Sequence, residues 1–529
     1  MSDDDTFSKD PFDKGLSTRR LVIFGSIFSI LAGLGFIAGG VYIWIFTLSS
    51  PNHVHGLLYF KCHVPYEVPG LALNLIVTVC TECAGVVHSM TLRFVLFQER
   101  RATYNLNLRL LTGSDEKPMN SVIISGLMAL LLIISYASSS FFYQDLGQYI
   151  WSDEACGVLA ILAIVLGISI FLQTCISLFA LRDIEIPTWS TSPLDTIPAL
   201  RHIHRPQCLK KHYLFADPCT CVGTPPDAIK PIHPQPSAWN TRKGVRMAIH
   251  FLWGLGITCM FWGLWVYLIL PEGSNRSWAF LPGPNNYRED AINGDYWVNL
   301  HGITFATWLS LYALMVITQG GLTLGLHCAE LVAGVVRDET VWRRRNEGSN
   351  SGMNSSFSSQ FRAFGLRNWL YIVLFCAKPI LHWLFGLAVE IYIYQDVTVT
   401  DVLDGYTAGI NFYFAQIFYL GFSLFITAII FTLAACHHPK GAQLATYRHI
   451  KTLLDLDDRE EAQSCGMVDL VIDGPGTSRE SLLAGNGLLD AKAHARNTSF
   501  VTDITESQDP RATDLQILTV CYRLTESTE

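Results

Sequence analysis

Apolar residues in this chain come in long unbroken blocks separated by short polar stretches. A helix rises about 1.5 Å per residue, so about 20 apolar residues cross a bilayer core about 30 Å thick. Eight blocks reach that length, at residues 21–48, 69–97, 119–142, 155–181, 245–270, 303–336, 369–394 and 408–435. The sixth overshoots the membrane on its inner side. The first is too long for a signal-peptide core, follows Arg19 and Arg20, and lacks a cleavage site, so it reads as a retained anchor. The pattern predicts an all-α membrane protein with eight transmembrane helices.

The two halves of this pattern echo each other. Ala84-Gly-Val-Val87 ends the second block and Ala333-Gly-Val-Val336 the sixth; Tyr143-Gln-Asp145 closes the third and Tyr394-Gln-Asp396 the seventh. Leu166-Gly-Ile-Ser-Ile-Phe171 in the fourth block matches Leu420-Gly-Phe-Ser-Leu-Phe425 in the eighth. The offsets, 249, 251 and 254 residues, are nearly constant. This predicts two tandem four-helix repeats, 21–181 and 245–435, related by a pseudo-two-fold axis along the membrane normal.

Polar residues inside the blocks form helical stripes. In the second block Asn74, Thr78, Glu82, Gly85, Ser89 and Arg93 recur every three or four residues, with His88 on a neighbouring face. The sixth carries Gln319, Thr323, His327, Glu330, Gly334 and Arg337, and the seventh carries Lys378 and His382 one turn apart. Ionisable groups at membrane depth are costly and face a bundle interior, a partner or a pathway. Glu82, His88, Arg93, His327, Glu330, Lys378 and His382 are thus the candidate polar network. It fits a proton or ion pathway, and equally a neutralised lock between carboxylate and lysine that fixes helix register. In the first block Gly25, Ser29 and Gly33, and Gly35 with Gly39, follow the small-xxx-small rule for close helix packing.

Basic residues orient the chain. Both tails and the loops after blocks two, four and six hold 31 of the 37 Lys and Arg, against Lys61, Arg276 and Arg288 on the other side. The positive-inside rule then puts both termini in the cytosol of a plasma membrane or endomembrane protein. Residues 1–20 form the cytosolic N-terminal tail. Residues 182–244, with 10 of the 22 prolines, form an irregular cytosolic strap, and 436–529 an acidic, largely disordered tail with a helix near 444–456. The Ser/Asn/Gly-rich stretch after Arg343-Arg-Arg345 reads as a linker through Gln360.

Composition narrows the functional classes. Half of the residues are hydrophobic, 16% are charged and the net charge is −8, so the bilayer is the main partner and nucleic acid is excluded. Of the fourteen cysteines only Cys62 and Cys156 fall on the outer side, where a disulfide between the first two outer loops is plausible. Asn275 opens a glycosylation sequon on that side. In the strap, His202, His204, Cys208, His212, Cys219 and Cys221 have the chemistry zinc takes, but their spacing matches no standard finger. Haem between His88 and His327 has no supporting ligand pattern. Otherwise no cofactor is expected. No catalytic or nucleotide-binding signature is found, which argues against an enzyme and an ATP-driven pump.

Several segments, His88-Ser-Met-Thr-Leu-Arg93, Asn105-Leu-Asn-Leu-Arg-Leu-Leu-Thr112, Ile186-Pro-Thr-Trp-Ser190 with Pro193-Leu194, His204-Arg-Pro206 with Cys208, Gly325-Leu-His-Cys-Ala-Glu330 with Arg337-Asp-Glu339, and Lys378-Pro-Ile-Leu-His-Trp383, resemble a group of uncharacterised multi-spanning membrane proteins of filamentous fungi. Phe94 and Asp195 depart from the Trp and Asn expected there. The resemblance implies a fungal membrane protein and brings no activity or ligand. The expected function is therefore a channel or transporter moving an ion or small polar solute between the repeats. The competing expectation is a scaffold or receptor whose strap and tail bind cytosolic proteins. A third is a sensor switched by protonation of His88, His327 or His382.

Overall fold

The computed structural model describes residues 16–49, 56–61, 67–99, 101, 112–145, 155–192, 195–196, 199, 235–241, 243–270, 276–281, 291–293, 305–347, 357–395 and 406–439. Eight helices in it are long and apolar enough to cross a membrane. They are α1 (Leu16–Ser49), α2 (Glu67–Gln98), α3 (Val122–Phe141), α4 (Ala160–Arg182), α5 (Lys243–Ile269), α6 (Phe305–Glu347), α7 (Phe357–Ala388) and α8 (Phe414–Cys436). The chain is thus a polytopic membrane protein in contact with lipid. Large apolar side chains such as Phe24, Leu31, Phe261 and Leu268 lie exposed along α1 and α5, as a hydrocarbon solvent favours.

Within the first half α1 packs on α4, α2 on α3 and α4, and α3 on α4. In the second half α5 packs on α8, α6 on α7 and α8, and α7 on α8. The halves meet where α2 touches α7 and α3 touches α6 and α7, so these four helices form the centre of the bundle.

Close approach needs small residues at the α1–α4 contact. A Cβ on Gly33 would stand 3.0 Å from the Gly167 carbonyl oxygen, and one on Gly40 2.7 Å from that of Ala160. Gly25 meets Cys83 of α2, and Ser29 donates to the Cys80 carbonyl at 3.4 Å. Gly35 and Gly39 face open space, so the packing role expected of that second pair is not met among the described residues.

The all-α expectation is corrected by two small antiparallel sheets. One orders β1 (Leu57–Lys61), β3 (Ala155–Leu159) and β2 (Tyr143–Asp145) as β1-β3-β2. The other orders β4 (Ala291–Asn293), β6 (Tyr406–Tyr413) and β5 (Val389–Gln395) as β4-β6-β5. Ile391 pairs with Ile410 and Glu390 with Asn411. The apolar pattern assigns Ala155–Leu159, the residues after Ala388 and those before Phe414 to spans four, seven and eight. Val389-Glu-Ile-Tyr-Ile-Tyr-Gln395 is apolar enough for either state, but β-branched and aromatic side chains lose rotamer freedom in a helix and pack well on a pleated sheet. Gly56, at φ 79°, makes the turn into β1, and its N–H donates to Thr47 Oγ1 at 2.9 Å beside the end of α1. Chain alternation puts both sheets at one end of the bundle, the sheet end, and the segment after α4 at the other, the strap end.

α6 runs well beyond its apolar block at the strap end, as its overshoot predicted. α7 begins at Phe357, so the last residues of the expected linker are helical. The tail segment 444–456 lies outside the described residues.

Candidate functional site

Where α2, α6 and α7 converge, Glu82, Glu330 and Lys378 meet. The Lys378 ammonium donates to Glu82 Oε1 and, at 2.5 Å, to Glu330 Oε1. Glu330 Oε1 also lies 2.7 Å from His327 Nδ1, one turn back on α6. Two carboxylates thus share one ammonium, and one of their oxygens is shared again with an imidazole. Helical spacing produces this directly. Glu82 lies near the middle of the 32 residues of α2, Lys378 near the middle of the apolar part of α7, and His327 and Glu330 share a face of α6.

The bridge is closed on one side and open on the other. Lys378 is 2% exposed and His327 3%, whereas the side chains of Glu82 and Glu330 retain 24% and 25%. The residues flanking Glu330 on its own face, Leu326, His327, Ala333 and Gly334, are buried, so its open edge is an isolated one.

Towards the sheet end lies a layer of polar groups that contains no carboxylate among the described residues. His382 Nδ1 is 2.9 Å from Gln319 Nε2, which also donates to Ser140 Oγ at 3.1 Å. The Tyr136 ring stacks on His382 with centroids 3.7 Å apart, and its hydroxyl donates to Thr78 at 3.1 Å. Ser139 donates to Asn74 Oδ1 at 2.9 Å, and the Ser138 and Tyr312 hydroxyls are hydrogen-bonded at 2.7 Å. Asn74, Thr78, Tyr136, Gln319 and His382 are all buried. The α3 hydroxyls were not singled out in the sequence. The run Ser138-Ser-Ser140 at the end of an apolar block was the available signal.

Arg93 does not join the bridge. It lies eleven residues beyond Glu82, about 16 Å along the helix, and reaches the strap. Its guanidinium donates to the Thr188 and Ser190 carbonyls at 3.3 Å and to Thr196 Oγ1 at 3.4 Å. Arg337 of α6 grips the same strap, donating to the Thr191 carbonyl at 3.0 Å and pairing with Asp338 at 2.9 Å. Ile184 packs on Phe94 and Val95, and Trp189 on Val22 and Val87, so the strap closes over the ends of α1 and α2. His88 is buried between bridge and strap, about 9 Å from Glu82 along α2. The stripe read from spacing therefore splits by depth into two sites.

At the strap end Glu99 organises the entry to α3. It accepts hydrogen bonds from the Ser114 hydroxyl and from the Asp115 and Glu116 N–H groups at 3.2 and 3.1 Å. Burial pushes its carboxyl up, but these donors and the Arg101 guanidinium outweigh it and hold the group below its ordinary value.

Cys156 is disulfide-bonded, while Cys80, Cys83, Cys175, Cys259, Cys328, Cys376 and Cys436 form no disulfide. Its candidate partner Cys62, next in sequence after β1, lies outside the described residues. So do Asn275 and the strap candidates His202, His204, Cys208, His212, Cys219 and Cys221. No family model, curated protein or solved structure matches this chain.

Proposed function

We propose that this protein is a transporter or channel in which two four-helix halves enclose a polar pathway, with the Glu82–Lys378–Glu330 bridge at its narrowest point. The observation that carries the reading is the open edge of both carboxylates where α2, α6 and α7 converge: the Glu82 and Glu330 side chains keep 24% and 25% exposure while Lys378 is 2% exposed. A lock built only to hold helices together gains nothing from that opening, because contact with water screens an ion pair. A pathway does need it, as a place where a cation or proton can be taken up and released.

The arrangement of halves favours the same reading. Each sheet has the same strand order, and each packing contact inside the first half has a counterpart in the second. Together with the sequence echoes this supports tandem repeats about a pseudo-two-fold axis, with the bridge at the seam between the two halves. The excess of basic residues at the strap end supports cytosolic termini, with the strap as the inner closure. Placement among the fungal membrane proteins rests on the shared motifs.

Reconstitution in liposomes tests the proposal. Cation or proton flux should fall at least about tenfold in Glu82→Gln and in Glu330→Gln if each removes one charge-assisted contact worth about 1.5–3 kcal/mol. Unchanged flux in both would remove the transport reading. The alternative, a non-transporting scaffold or receptor, is favoured by the full pairing of Lys378; it predicts no flux in the full-length protein and loss of partner binding when the chain beyond Cys436 is deleted.

A further inference from the structure

The donor set around Lys378 has the chemistry of a metal site. One ligand atom each from Glu82, His327 and Glu330 lie within 4.8 Å of one another. Ligand atoms around a tetrahedral ion at about 2.1 Å stand about 3.4 Å apart, so rotation of these side chains by about 1 Å closes the set. One imidazole and two carboxylates suit a first-row divalent ion such as Zn²⁺ or Mn²⁺ better than Ca²⁺ or Mg²⁺, which take oxygen donors almost alone. Three protein ligands leave a further coordination position, and the open edges of both carboxylates give an ion its approach.

We infer that Glu82, His327 and Glu330 bind a first-row divalent metal ion, and that the Lys378 ammonium is a tethered competitor that occupies the same oxygens in its absence. Two independent features support the exchange. The ammonium already sits against both carboxylates, which demonstrates that the pocket holds a compact cation. His382, one turn along α7 from Lys378, offers the ammonium a second partner. His382 is 0% exposed and its Nε2 has no hydrogen-bond partner among the described residues, nor has Gln319 Oε1. Turning the Gln319 amide over lets its Oε1 accept from His382 Nδ1–H and leaves the His382 ring nitrogen Nε2 as an acceptor for the Lys378 ammonium, whose four-carbon stem is flexible enough to swing. The proposal rests on the transport reading only for the onward passage of the ion; binding is separately observable.

The test is a cobalt(II) titration of the purified full-length protein, read by visible absorption. The strap is first silenced by His202→Gln, His204→Gln, His212→Gln, Cys208→Ser, Cys219→Ser and Cys221→Ser. A single saturable site is expected in this parent, weakened about tenfold or more by His327→Ala, in line with losses at metal sites. Lys378→Met should bind cobalt more tightly than the parent, and cobalt should raise its melting temperature because the ion replaces the missing ammonium. Lys378→Arg keeps the charge and the fold, and its forked guanidinium should weaken cobalt binding relative to the parent. Equal affinity in the parent and His327→Ala, or no cobalt absorption in the parent and Lys378→Met, would overturn the site. Cobalt binding without flux keeps the metal site and removes transport; flux lost in Glu82→Gln without cobalt binding does the reverse.

Discussion

Helices α3 and α7 occupy matching places and do different chemistry. Each packs on the second and fourth helices of its own half and on the second helix of the other. On its buried face α3 presents Met128, Leu131 and Leu132 and then, nearer the sheet end, Tyr136, Ser138 and Ser139. On its own buried face α7 presents Lys378 and His382. Near the sheet end the hydroxyls of Ser138 and Ser140 bond to Tyr312, Gln319 and the His382 carbonyl of the other half, so they hold the halves together at little electrostatic cost. Lys378 of α7 serves carboxylates from both halves at once. The difference teaches that the seam is tied by hydrogen bonds towards one end and made responsive by charge at its centre.

Lys378→Met breaks the comparison most severely. It leaves two carboxylates without their cation, and removing one partner of a buried charged pair typically costs about 3–5 kcal/mol. Thermal unfolding in detergent should register that loss. Tyr136→Phe on α3, which deletes one neutral hydrogen bond to Thr78, should cost about 1 kcal/mol. Equal losses would mean that charge has no special place in the seam.

Arg93→Met tests whether the charge at the strap end is separate from the bridge. Losing charge-assisted bonds to Thr188, Ser190 and Thr196 should cost about 1.5–3 kcal/mol locally and expose the strap to limited proteolysis, with the bridge intact. Proteolysis at the wild-type rate would show that Arg337 holds the strap alone.

The smallest effect concerns the entry to α3. Because the folded Glu99 carboxyl is held below its unfolded value, its contribution is fully present above the unfolded pKa and is lost as pH falls through the folded one. Hydrogen exchange at residues 114–117, corrected for intrinsic rate, should accelerate between about pH 5 and pH 3 in the wild type. In Glu99→Gln it should already be fast at pH 5 and stay flat. An acid response identical in both proteins would assign it to another group.

Much of this architecture was legible because lipid imposes a harsh rule: a spanning segment must be long, apolar and helical, and eight segments obey. The sheets were hidden, since hydropathy does not separate a helix end from a strand when residues such as Val389, Ile391 and Ile393 serve both. In the site, spacing placed Glu82, Asn74 and Thr78 on one stripe, yet spacing fixes a face and not a partner. Arg93 shares that stripe with Glu82 but sits three turns away, beside the strap. Tyr136 and Ser139 were missed because hydroxyls in an apolar run look like packing residues until the facing helix supplies Thr78 and Asn74.

The most direct measurement is ion flux in liposomes through the triple variant Glu82→Gln, Glu330→Gln and Lys378→Met, which removes every charge of the bridge together. Without unpaired charge the seam should fold and melt near the wild-type temperature, since a neutral replacement of a buried charged set is often tolerated. The account predicts a folded protein with flux reduced to the level of empty liposomes. A folded triple variant that conducts like the wild type would contradict it.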